Sequence, residues 1–302
     1  MASPSPGSNL PPVQPPSGRF IAQLFLVPGL IVLVVVLMVL AINYLFVGGN
    51  TPDQFLVRLD SPTPDIRYRG ANDLAQVLKR RESVHLKTDV GLALGLIERL
   101  DKAMRVLDDA EKEIGDKLAA NKADPAKAAA AFRVLEAQRN YVQFLAASLG
   151  DFHFPAGVPL LADIILSERS PDKLNNTMRR RQALWALANL GENIKAFKEL
   201  KPEQRNLVLA NLRKEVDSTN DVRRRAARNG LFHLGEYPDA KDAELVRVDQ
   251  VLAKSALADD QFLRSTTALA FNFWDGPLAE ETLLRLSRDN GFGTEMRTPE
   301  EP

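Results

Sequence analysis

The three histidines of this chain, His85, His153 and His233, stand 68 and 80 residues apart and form no HExxH or comparable pair. Two ligands one helical turn apart, which a zinc site on a helix needs, are therefore missing. His153 sits in the apolar run Asp151-Phe152-His153-Phe154, and His233 immediately precedes Leu234, so both read as packing residues. Cysteine is absent, which excludes disulfides, thiolate metal sites and cysteine nucleophiles together. Gly91 and Gly95 fall in an apolar helical run and not in a phosphate loop, and no Gly-x-Ser-x-Gly elbow occurs. Asp108, Asp109, Glu111 and Glu113 read as one solvated helix face. The sequence thus nominates no catalytic, cofactor-binding or metal-binding residue, and no cofactor.

Arginine is the other candidate. Met178 to Glu192 reads MRRRQALWALANLGE, and 44 residues later Val222 to Glu236 reads VRRRAARNGLFHLGE. Such clusters could hold phosphate, or they could mark a structural unit copied along the chain. Lysine plus arginine and aspartate plus glutamate both total 39, so no net field draws nucleic acid or an anionic surface. Aromatic residues that would stack on bases are not interleaved with the arginines. Arg180, Arg181, Arg224 and Arg225 are accordingly expected to be solvated or packed along their stems, and no nucleic-acid partner is expected.

The elements that carry these residues repeat. Leu149-Gly150-Asp151, Leu190-Gly191-Glu192 and Leu234-Gly235-Glu236 recur at intervals of 41 and 44 residues. Ahead of each lies the same small or apolar stripe at i, i+3, i+4 and i+7: Val142 to Leu149, Ala183 to Leu190, Ala227 to Leu234. Two further copies of the stripe lie at Ala71 to Leu78 and at Thr267 to Trp274, the latter with Asp275-Gly276 in place of Gly-Glu. That spacing turns one face of a helix inward. Gly150, Gly191 and Gly235 then read as helix stops, since glycine enters the left-handed turn without a Cβ clash. Companion helices are expected over Leu160–Leu166, Leu207–Leu212, Leu245–Leu257 and Leu278–Leu286, each after a proline. The excess length between Leu78 and Leu149 falls in residues 101–132, whose seam of Leu100, Met104, Leu107, Ile114 and Leu118 predicts an elongated hairpin turning at Asn121 to Pro125.

Asp221-Val222-Arg223-Arg224-Arg225-Ala226-Ala227, closing on Leu234-Gly235-Glu236, resembles the signature of HEAT and HEAT-like repeats, as does Asp65-Ile66-Arg67 in the opening stretch 56–74. The resemblance covers most of residues 51–290. It implies an α-solenoid, and a ladder between neighbouring repeats made by Asp65 with Arg67 and by Asp221 with Arg223. Asn175 and Asn176 replace the aspartate before Met178-Arg179, where the ladder departs from the pattern. Some HEAT-like relatives resemble pigment-attachment lyase subunits, but no cofactor motif here supports that activity.

The expected fold class is all-α: an α-solenoid of about five HEAT-like hairpins, the first elongated over about 87–149, preceded by one transmembrane helix. Residues 1–19 read as a Pro/Ser-rich tail, 51–290 as the solenoid and 291–302 as a frayed tail. Phe20 to Val47 carry no charge over 28 positions, which predicts a single-pass membrane anchor over 20–47 with the side of the soluble part left open. The expected function is a membrane-anchored, non-catalytic scaffold that binds a protein partner, with no small-molecule substrate. The alternative is an envelope tethering protein that self-associates through the 101–132 hairpin, and the third reading is an unrecognised enzyme or lyase subunit.

Overall fold

The computed structural model describes residues 18–47, 51–119, 125–167 and 173–288. The expected tails, apart from Gly18 and Arg19, and the hairpin turn at 121–124 lie outside the described residues. The chain forms two units, residues 1–50 and 51–302, and among the described residues all regular structure is helical, in 13 α-helices with two short 3-10 turns.

The first unit holds α1, Gly18–Val47. Among the described residues no helix is long and apolar enough to cross a membrane. The single-pass anchor expected over 20–47, and the membrane localisation drawn from it, are therefore not supported.

The second unit begins with α2 (Pro52–Leu59), α3 (Pro64–Leu78) and the short α4 (Val84–Lys87), followed by the long α5 (Val90–Ala119) and α6 (Pro125–Leu149). It continues through α7 (Val158–Leu166), α8 (Lys173–Glu199), α9 (Pro202–Glu215) and α10 (Asp221–His233), and closes with α11 (Val248–Ser255), α12 (Gln261–Ala270) and α13 (Ala279–Ser287). Prolines stand in the first turn of α2, α3, α7 and α9, where the missing N–H has no helical partner to lose. Asn220 caps α10 by accepting from the amides of Val222 and Arg223, and Asp260 caps α12 through Leu263.

Every stripe read from the sequence turns inward. Ala71, Leu74, Ala75 and Leu78 are buried, as are Val142 to Leu149, Ala183 to Leu190 and Thr267 to Trp274 at their stripe positions. On α10, Ala227, Gly230 and Leu231 are buried and Leu234 half-buried. The arrangement of the stripes differs from a simple stack. One row runs α3, α6, α8, α12, each packed on the next. A second layer runs α2, α5, α10, α7, α11, so α10 stands between α5 and α7 and leaves α8 to meet α12 directly. Four hairpins (α2/α3, α5/α6, α7/α8, α11/α12) thus alternate in a pattern compatible with a helical repeat fold, and α9/α10 is inserted into the second layer. The elongated hairpin α5/α6 is the second of these, not the first as expected.

Small residues explain the insertion. A Cβ at Gly230 would lie 3.5 Å from the Cα of Ala156 in the 3-10 turn Pro155–Gly157. Ala226, Ala227 and Gly230 together let α10 approach that turn at backbone distance. Buried Asn229 then ties the irregular stretch after α10 to the helix: its amide donates to the carbonyls of Arg225 (2.8 Å) and Glu244 (2.9 Å), and its oxygen accepts from the Val246 amide (2.7 Å). That tether leaves α11 short, at Val248–Ser255 instead of the expected 245–257.

Candidate functional site

Six arginines of the two clusters fan out to six different places. On α8, Arg179 is 5% exposed and bonds Asp108 (3.3 Å) and Glu111 (2.7 Å) of α5. Glu111 also accepts from Arg139 of α6 at 2.9 Å, so one carboxylate joins three helices. Arg180 donates to the carbonyl of Ile165 at 2.7 Å, satisfying an orphan acceptor in the last turn of α7. Arg181 reaches the α12 cap Asp260 at 3.0 Å and lies 4.3 Å over the Phe262 ring. That ion pair and the Leu263 amide outweigh burial and hold the Asp260 carboxyl below its ordinary range.

The α10 cluster repeats the pattern toward other partners. Arg223 bridges Glu98 of α5 and Glu215 of α9, both at 3.0 Å. Arg224 takes Glu244 at 2.9 Å and Asp221 at 2.7 Å. Arg225 pairs with Asp163 of α7, with its second nitrogen at 3.0 Å. Arg223 and Arg225 therefore clamp the two helices that flank α10. Arg180, Arg181, Arg224 and Arg225, expected to be solvated or packed along their stems, are partly buried with specific partners, and the face at Asp108 and Glu111 expected to be solvated is engaged in ion pairs. A helical register shows which residues are neighbours on one helix, but says nothing about the carboxylates that other helices bring.

The ladder pairs also differ from the resemblance. Asp221 pairs with Arg224 and not with Arg223, because Asn220 is the cap and Asp221 already lies in the first turn. Arg67 donates to the Ser61 carbonyl at 3.0 Å, while Asp65 stays exposed beside it without pairing. Among the glycines, Gly235 sits at φ 76° with the Glu236 amide on the Leu231 carbonyl (2.8 Å) and its own on Phe232 (3.0 Å), a Schellman stop. Gly150 follows the last residue of α6 without a left-handed turn, and a Cβ there would meet the Ala186 carbonyl at 2.7 Å. Gly191 is no stop: α8 runs on to Glu199. Its missing Cβ makes room for Trp274, whose indole donates to the Leu187 carbonyl at 2.7 Å.

The histidines stay apart. His85 is in α4, whereas His153 is buried in the loop after α6 with its Nδ1 unpartnered. Burial, and secondarily Lys87, pushes His153 down to about 4, and burial raises the nearby Asp151 to about 6. His233 packs edge-on against Phe232 and Trp274 with Nε2 3.1 Å from the Val246 carbonyl, and burial lowers it to about 4. Among the described residues no group of three His, Asp or Glu side chains could hold a metal ion.

Two surface features carry no structural task. On α8, Met178 (39% exposed) and Trp185 (51%) flank Arg181, which in turn covers one face of Phe262 (56%) on α12. The sequence held a signal for this patch: Trp185 and Met178 are seven residues apart and fall off the buried stripe of α8. The other feature is a cleft of about 480 Å³ where the ends of α8, α9 and α10 meet.

No family model matches the chain, and no curated protein matches it. Among solved structures, an engineered protein from a structural genomics consortium matches over 78% of this chain and 61% of its own length, at 17% identity and a TM-score of 0.20. The chain thus spans about three fifths of that protein, and a TM-score this low carries no argument about fold or function.

Proposed function

We propose that residues 51–288 form a HEAT-like helical repeat that acts as a non-catalytic scaffold for a protein partner. The observation behind the proposal is the patch of Met178, Arg181, Trp185 and Phe262, which spans adjacent helices of the first row. Tryptophan, arginine and methionine are the side chains enriched where protein partners bind, and burying an exposed Trp and Phe supplies a large apolar area at low entropic cost. The HEAT-like reading is supported by the alternating hairpins and the buried stripes at i, i+3, i+4 and i+7. Photo-crosslinking in the full chain from a photoreactive residue at position 178, with Trp185 and Phe262 otherwise intact, tests the proposal. A foreign protein captured by wild type and lost in W185A/F262A is the expected outcome; capture unaffected by the double variant would remove this surface.

A second reading rests on the elongated hairpin. Val106 of α5 and Phe132 and Val134 of α6 are all exposed there, a composition suited to self-association. Sedimentation of the full chain separates the two: a concentration-dependent dimer abolished by F132E favours the hairpin, and a single species unaffected by F132E favours the scaffold.

A further inference from the structure

We draw no further inference here: the strongest candidate, the apolar face of α6, α8 and α12 on which Phe144, Trp185 and Leu269 hold the same position in successive stripes, belongs to the surface already proposed for the scaffold, and nothing in the structure shows what covers it.

Discussion

The arginine clusters of α8 and α10 share a sequence and differ in what surrounds them. On α8 the cluster lies in the first row, and Arg179 is buried against Asp108 and Glu111, which keep 30% and 15% of their side-chain surface exposed. On α10 the cluster lies in the second layer, where Arg223, Arg224 and Arg225 keep part of their surface in solvent. The same three residues thus make a buried junction in one place and a half-exposed clamp in the other. What decides between them is the neighbour: α8 receives α12 along its flank, whereas α10 is wedged between α5 and α7. A repeat signature fixes the helix and its inward face, and the remaining surfaces fix its place.

The largest expected effect tests that contrast. Arg179→Ala removes the buried guanidinium that Asp108 and Glu111 share and leaves Glu111 with Arg139. Removing one partner of a buried pair should cost about 3 kcal/mol. Arg223→Ala, at a pair 30% exposed on both sides, should cost about 1 kcal/mol because solvent replaces much of what is lost. Urea denaturation of the two variants measures both, and equal costs would show that the clusters are equivalent after all.

The tether that keeps α10 in the second layer comes next. Asn229→Ala removes three hydrogen bonds and strands the Val246 amide in the interior, for about 2–3 kcal/mol. Hydrogen exchange should show the stretch 237–247 opening while the α8–α12 contact stays protected. If protection falls equally in both regions, α10 and the first row are one cooperative unit.

Acid should also separate the two regions, by about 2 kcal/mol. His233 titrates at about 4 in the fold and near 6.5 unfolded. As pH falls from 6.5 to 4 the unfolded chain takes up a proton that the folded chain refuses, so stability declines through that window and levels off below it. His153 acts in the same direction, but Asp151, raised to about 6, gains its proton in the fold first and opposes it over the same range. The pair after α6 therefore nearly cancels, and the α10 side carries the net loss. H233F should flatten the fall in the urea midpoint between pH 7 and 4.5, and D151N should steepen it. A profile unchanged by either variant would contradict the assignment.

These contrasts mark how far the sequence could be read. The stripes were legible because a buried face repeats every 3.6 residues whatever lies opposite it. Helix order in the layers was not, because the contact that sets it, Gly230 against Ala156, joins residues far apart in sequence that are each unremarkable alone. The ionic partners of the arginines were hidden for the same reason: Glu98, Asp163 and Asp260 come from other helices. Trp185 was visible as a residue off the stripe, but only packing shows that it stays exposed. The apolar run Phe20 to Val47 suggested an anchor by composition, whereas among the described residues no helix is long and apolar enough to cross a membrane.

The smallest effects fall on the glycines of the repeated Leu-Gly-Glu, and they sharpen the comparison best because the tripeptide is identical at both sites. Gly235 adopts φ 76° in open space, so an added methyl meets no neighbour and costs only the left-handed backbone, about 1 kcal/mol for Gly235→Ala. Gly191 has ordinary helical geometry inside α8, where alanine is the better helix former by about 1 kcal/mol. Its Cβ, however, would stand 2.5 Å from the Trp274 indole nitrogen and 2.9 Å from the Phe273 Cβ. The indole cannot swing aside without giving up its bond to the Leu187 carbonyl, so overpacking should outweigh the helical gain and leave Gly191→Ala destabilised by about 1–2 kcal/mol. The decisive measurement is the double variant with W274F, which removes the indole nitrogen. Relief of the Gly191→Ala cost in that background, with no relief at Gly235→Ala, is the expected outcome; equal costs in both backgrounds would mean that Gly191 serves the backbone and not the α8–α12 contact.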